Sequence, residues 1–254
     1  GRTLGFGVAV NGLEASEQRA TQLFVRYVEP QSPAKLTNAI SGGLQRGDEI
    51  LTINSVPVAT LIAANGGFGD YSALTANNVG DPLRLEILRA TNPVVTLTLN
   101  AAEFSLTPVQ TVPVVQSQNG RRMGYVFVKD MISQVEPTLS TVMAGFRTQG
   151  IQELVLDLRY NGGGLVTIGG TVASYASGPA NGQVYARLLH NDLNSGRNRD
   201  FTFTNPGAWT GFSRVYVLTG ARTCSASEQV INGLRGVGVN VVSVGDTTCG
   251  KPMG

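Results

Sequence analysis

The segment Leu154-Val155-Leu156-Asp157-Leu158 constrains the fold of this chain more than any other. Its apolar run is nearly unbroken, the pattern of a strand covered on both faces. It passes into Arg159-Tyr160-Asn161-Gly162-Gly163-Gly164, and a helical pattern follows from about Val166. Strand, glycine-rich turn and helix in succession predict a βα unit, with the turn free to approach a ligand through its backbone. The neighbouring segments repeat this rhythm. Gly124-Tyr125-Val126-Phe127-Val128 reads as a strand. A helix opened by Pro137 carries Val135, Leu139, Val142, Met143 and Phe146 on one face and ends at Gly150. Val215-Tyr216-Val217-Leu218-Thr219 and Val239-Asn240-Val241-Val242-Ser243-Val244 supply two later strands.

The first hundred residues differ. Phe24-Val25-Arg26-Tyr27-Val28 alternates like a strand, and Ser32-Pro33-Ala34-Lys35 can start a short helix with proline in its first turn. Gly47-Asp48-Glu49-Ile50-Leu51-Thr52-Ile53-Asn54 is a turn feeding a strand. Leu83 to Leu88 and Val94 to Leu99 alternate apolar and polar residues around a hairpin at Thr91-Asn92-Pro93. The run Leu106-Thr107-Pro108-Val109-Gln110-Thr111-Val112-Pro113 reads as a proline-extended linker. The expected organisation is a mostly β domain over 1–104, a linker over 105–120 and an α/β core over 121–254.

Composition narrows the function. With 42% hydrophobic and 14% charged residues, the 254-residue chain is core-forming. A net charge of +2 without a dense basic run argues against nucleic acid as a partner. No apolar stretch approaches the ~18–20 residues of a membrane span. The chain starts at Gly1, without Met or a signal peptide, and is expected to be a processed product or a fragment. There are three lysines, Lys35, Lys129 and Lys251, and one histidine. That histidine, His190, lies in a polar stretch and reads as a loop residue.

The chemistry centres on Ser225 and Lys251. Ser225 lies in Thr223-Cys224-Ser225-Ala226-Ser227-Glu228, where a strand gives way to a helix, so backbone N–H donors and the positive end of a helix dipole are near it. The bland alternative is a Ser-x-x-Glu capping box, and Ser227 is a competing hydroxyl. Lys251 lies in Gly250-Lys251-Pro252 after the last strand. To act as a base it needs a dry site that brings it from ~10.4 to about 7–8. The glycine turn and the Ala226 N–H can together form an oxyanion hole. No Gly-Lys-Ser/Thr follows the glycines, which excludes a phosphate-binding P-loop. Cys224 and Cys249 flank the two reactive residues. If those residues meet, the cysteines come within the ~4.4–6.8 Å Cα range of a disulfide. Closing that loop contributes about 3 kcal/mol, and the alternative is two buried thiols.

Two resemblances follow from these motifs. Leu4-Gly5-Phe6-Gly7-Val8, Ser32-Pro33-Ala34 and the Leu44 to Asn54 run resemble a PDZ domain, and Asn65-Gly66-Gly67-Phe68-Gly69-Asp70 departs from its pattern. The glycine turn, the Thr223–Glu228 segment and Gly245-Asp246-Thr247-Thr248-Cys249-Gly250-Lys251 resemble three ordered signatures of the carboxy-terminal processing serine proteases. Membership implies a crotonase/ClpP-like α/β core and cleavage of proteins selected by their C-terminal tails. Carried over by position, Ser225 is the nucleophile, Lys251 the general base, and Gly163 and Ala226 the oxyanion donors. The third catalytic side chain has no counterpart before Gly254, which leaves Glu228 as its substitute and the core C-terminally incomplete. Leu4 to Val8 would bind the substrate's chain end. No cofactor or metal is implied. Partners would be protein or peptide C-termini, with homo-oligomerisation compatible, in a periplasmic or other extracytoplasmic location. A non-catalytic lipid binder, like the modules of interphotoreceptor retinoid-binding protein, and a PDZ-type adaptor are the alternatives.

Overall fold

Burial follows the sequence rhythm strand by strand. The structure, a computed structural model, describes residues 2–10, 22–67, 69–90, 92–112, 114–116, 119–178, 180–207 and 211–251. Phe68, Thr91, Pro113 and Pro252 of the motifs above lie outside them. The chain divides into two units, Gly1–Thr107 and Pro108–Gly254.

The first unit contains β1 (Arg2–Gly5), β2 (Val8–Val10), β3 (Leu23–Val28), α1 (Pro33–Leu36), β4 (Glu49–Ile53), β5 (Val56–Pro57), α2 (Val58–Gly67), β6 (Pro82–Leu88), β7 (Val95–Asn100) and β8 (Ala102–Ser105). Its larger sheet runs β2-β3-β4-β6-β7, all antiparallel, and β1 pairs separately with β8. Leu83, Leu85 and Ile87 of β6 and Leu97 and Leu99 of β7 turn inward while their neighbours face out. The Gly47-Asp48 turn is fixed by a two-pronged ion pair. Arg89 Nε donates to Asp48 Oδ1 at 2.7 Å and Nη2 to Oδ2 at 2.8 Å, with Asp48 buried. Helix α2 kinks at Ala64–Gly66, where Asn65 and Gly66 take positive φ, which accounts for the departure from the PDZ pattern there.

The second unit contains β9 (Val109–Thr111), β10 (Val115–Gln116), β11 (Arg122–Val128), α3 (Val135–Thr148), β12 (Glu153–Asp157), α4 (Val166–Ser177), β13 (Val184–Leu188), β14 (Arg199–Thr202), β15 (Arg214–Thr219), α5 (Ala226–Gly236) and β16 (Val241–Gly245). β11, β12, β15 and β16 are parallel neighbours in that order, and β13 and β14 form a separate hairpin. Leu154 and Leu156 of β12 and Val215 and Val217 of β15 are fully buried in the core, as apolar central strands require.

The expected linker over 105–120 is corrected by this arrangement. β9 and β10 both pair antiparallel with β11, and Val109 is part of the core. Pro108 precedes β9, where its missing N–H costs nothing, and its carbonyl accepts from Lys129 N–H at 2.7 Å. The domain boundary therefore falls between 107 and 108.

Gly124 packs against Phe146 of α3, whose ring would lie 2.5 Å from an added Cβ. Gly124→Ala should therefore cost about 1–3 kcal/mol through overpacking. Phe146→Ala should cost about 3–5 kcal/mol through the opposite defect, a cavity. Urea unfolding of both variants checks the pair.

Candidate active site

Three loops leave the carboxyl ends of adjacent parallel strands β12, β15 and β16, where open α/β sheets place their ligands. The first carries Asn161 and the glycines, the second Ser225, the third Lys251. Asn161 ties the first two together. Its buried side chain donates to the Val128 carbonyl at 2.9 Å and accepts from the Gly163 N–H at 2.9 Å. Its carbonyl accepts from the Cys224 N–H at 3.1 Å and the Ser227 hydroxyl at 3.0 Å. Ser227 is fully buried and committed to this bond, so the competing hydroxyl is a structural one.

Ser225 has φ +57° and ψ −120°. An ordinary N-cap sits in the β region. A non-glycine residue held in so sparsely populated a conformation costs about 1–3 kcal/mol, and such residues cluster at functional sites. Gly163 explains how the turn fits. A Cβ there would stand 2.8 Å from Ser225 Cβ, 2.9 Å from the Cys224 carbonyl and 3.0 Å from Ala226 N, and its φ is +102°. Only glycine lets the two loops meet so closely.

The expected oxyanion donors separate here. Ala226 N–H belongs to the first turn of α5, where helical N–H groups lack intrahelical partners. Gly163 N–H is spent on Asn161 Oδ1, so in this structure it faces a neighbouring side chain and not a ligand. Asp157 and Arg159, at the entry to the glycine turn, pair with each other. Arg159 Nη2 lies 2.6 Å from Asp157 Oδ2, and the Tyr125 hydroxyl donates to that oxygen at 2.7 Å. Desolvation pushes the Asp157 carboxyl up, but bonds from Arg159 and Tyr125 outweigh it and hold it below the usual carboxylate value. Burial and the same carboxylate push the Tyr125 phenol up to about 12.

Glu228 joins the second and third loops. Its Oε2 accepts from Ser225 N–H at 2.8 Å and from Lys251 N–H at 3.0 Å. The Ser225 and Lys251 backbone nitrogens are thus no farther apart than those two bonds laid end to end. Its Oε1 accepts from Gly250 N–H and from the Thr248 hydroxyl, both at 2.7 Å. The capping-box arrangement with Ser225 is present, but the carboxylate serves the lysine loop as well. Expected as a third catalytic side chain, Glu228 is placed instead as the anchor of that loop, with both oxygens engaged. Desolvation pushes its carboxyl up, and the bonds from Thr248, Gly250, Lys251 and Ser225 outweigh this and hold it below its ordinary value. Cys224 and Cys249 form a disulfide between the same loops, Cα atoms 5.2 Å apart.

Lys251 itself is exposed, and its side chain has no hydrogen bond to Ser225 among the described residues. The described residues do not form the dry site expected for it. β16 is the outermost strand of its sheet, most of its residues are exposed, and no described element covers the loop beyond it. His190 is likewise exposed, and its N–H donates to Asn198 Oδ1.

In the first unit, Leu4 and Gly5 pair with Glu103 and Ala102 across β1 and β8. Phe6 turns into the core, so only its backbone can serve a ligand. Gly7 is held against Ser32, whose Cβ an added Cβ would overlap. The N–H groups of Phe6 and Gly7 donate to nothing among the described residues. Val8 opens β2, the end strand of its sheet.

A family model for peptidase family S41 matches residues 122–254, more than half of the chain. The chain belongs to peptidase family S41. A PDZ-domain model matches residues 24–89. The S41 chain is 28% identical over 227 residues to a carboxyl-terminal-processing protease of Synechocystis, and 24% identical over 234 residues to that of Picosynechococcus. These matches cover 89% and 88% of this chain, and the chain spans about half the length of each relative, 50% and 49%. The structure of an S41 protease from Bacteroides fragilis superposes with a TM-score of 0.72 at 27% identity, over 98% of this chain and 65% of that one. The photosystem II D1 C-terminal processing protease shares the fold at 22% identity and TM-score 0.53, over 98% and 62%. The S41 α/β core preceded by a PDZ domain agrees with the architecture expected from the sequence.

A folded-state carboxyl held below its ordinary value stabilises above that value and loses its contribution as pH falls through the lowered one. Glu228→Gln should therefore melt below the wild type by a constant margin above about pH 5, and the margin should shrink on further acidification. Thermal unfolding of both proteins from pH 7 to pH 3 checks this.

Proposed function

We propose that this chain carries the core of a serine endopeptidase that acts on proteins presented through their C-terminal tails. The observation that carries the reading is the strained Ser225, seated on Gly163 and sharing Glu228 with the backbone of Lys251. Ser225 Oγ attacks the scissile carbonyl carbon and its proton passes to the Lys251 amine. The Ala226 N–H stabilises the oxyanion, and a second donor from Gly163 requires its bond to Asn161 to open. Collapse expels the amine, which takes the proton from Lys251, and water then hydrolyses the acyl-serine by the same route in reverse. A lysine serves as a base where it is screened from water. In this proposal Lys251, exposed among the described residues, is screened before the proton moves.

The first unit supplies the tail receptor in this proposal. The Phe6 and Gly7 N–H groups would take the terminal carboxylate, and the tail would add to the edge of β2 as an extra strand. The disulfide supports an oxidising, extracytoplasmic location. No helix among the described residues is long and apolar enough to cross a membrane. The retained serine, lysine and glycine turn favour catalysis over the lipid-binding reading, which needs none of them.

Ser225→Ala and Lys251→Ala should each abolish cleavage of an apolar-tailed model protein, followed by mass spectrometry, with an unchanged circular dichroism spectrum. Full activity of Lys251→Ala sinks the role given to the lysine. Gly163→Ala should lower kcat/KM by about 100-fold or more, since the added carbon displaces Ser225 and Ala226 N. Steady-state kinetics on the same substrate reads that loss.

A further inference from the structure

A cavity of about 610 Å³ lies where the starts of α4 and α5 meet the β13–β14 hairpin. Val166, the first residue of α4, and Gln229, in the first turn of α5, line one side. The β13–β14 hairpin forms the other through Ala186, Leu188 and Phe201, with His190 at its end. The link to the nucleophile is short: Gln229 N–H donates to the Ser225 carbonyl at 3.1 Å. Part of the cavity wall therefore lies one helical turn from Ser225.

The lining also says what that side chain needs. Gln229 Oε1 is buried and accepts no hydrogen bond from any described residue. A buried acceptor left unpaired is costly, and a ligand that brings a donor removes the cost. Val166, Ala186, Leu188 and Phe201 give the walls an apolar side, and Arg187, His190, Asn191 and Asn194 give them a polar one. No carboxylate lines the cavity, whereas Arg187 and His190 do, so a cationic donor finds no counter-charge. The volume is far larger than an alanine or serine side chain fills.

We infer that this cavity is a specificity pocket for a large aromatic side chain carrying a neutral donor, tyrosine or tryptophan, next to the scissile bond, and that Gln229 is the residue that selects it. The inference rests on the protease reading and adds its substrate class. Sites built to hydrogen-bond a substrate group discriminate strongly against the analogue that lacks it.

The test uses a mixture of synthetic peptides with apolar C-termini, varied at every position, digested by the intact protein and sequenced by mass spectrometry. Tyrosine and tryptophan should be enriched beside the cleaved bond, with tyrosine favoured over phenylalanine by about tenfold or more. In Gln229→Met, which keeps the side-chain length, the ratio should fall to within about twofold. Enrichment of alanine or serine there, or an equal tyrosine-to-phenylalanine ratio in the wild type, overturns the inference. A second measurement does not depend on turnover or on the variant folding. N-acetyl-tyrosinamide should shift the Gln229 side-chain amide resonance of the wild type, and N-acetyl-phenylalaninamide should not. That shift without any peptide cleavage keeps the pocket and overturns the protease reading. Identical responses to both amides overturn the pocket.

Discussion

The site depends on one buried amide. Asn161 reaches the end of β11 with its Nδ2, holds the glycine turn with its Oδ1, and holds the serine turn with its main-chain oxygen. A strand end and two turns that would otherwise be independent are thus referred to a single residue whose side chain has no access to water. Low surrounding dielectric strengthens such bonds, and it also makes each of them expensive to leave unmade. The strain at Ser225 is tolerable in this setting because the residues on either side of it are fixed by partners far away in sequence.

Ser225 shows how two readings of one motif can both hold. The Ser-x-x-Glu spacing is a capping signal, and Glu228 does accept the Ser225 N–H. A serine that only capped would sit in extended backbone, yet this one has φ +57°. The carboxylate that completes the cap also accepts N–H groups from Gly250 and Lys251. Helix initiation and placement of the lysine loop are therefore one interaction.

Much of this was legible in the residues. The unbroken apolar run of β12 announced a parallel strand, the face of α3 appeared in its 3.6-residue rhythm, and the glycine turn stood out between β12 and α4. What the pattern could not carry was partnership. Pro108 and Pro113 made 105–120 look like a linker, because two- and three-residue strands are too short for a period. Asn161 looked like part of a turn, since a buried amide is recognised by its partners and those come from other segments. The exposure of Lys251 among the described residues was equally hidden: its apolar neighbour strand suggested cover, and among the described strands that one is the last of its sheet. Gln229 gave no signal beyond its place one turn past Ser225.

The bridge between Cys224 and Cys249 has a consequence for where such a chain can mature. It is the covalent tie between the loop of the hydroxyl and the loop of the amine; their other ties, through Glu228 and from the Cys249 N–H to the Thr223 carbonyl, are hydrogen bonds. In a thiol-rich medium those hydrogen bonds alone would hold the two loops together. In an oxidising one the bridge would fasten them, so that the spacing of the two loops would answer to the redox state around the chain as well as to folding.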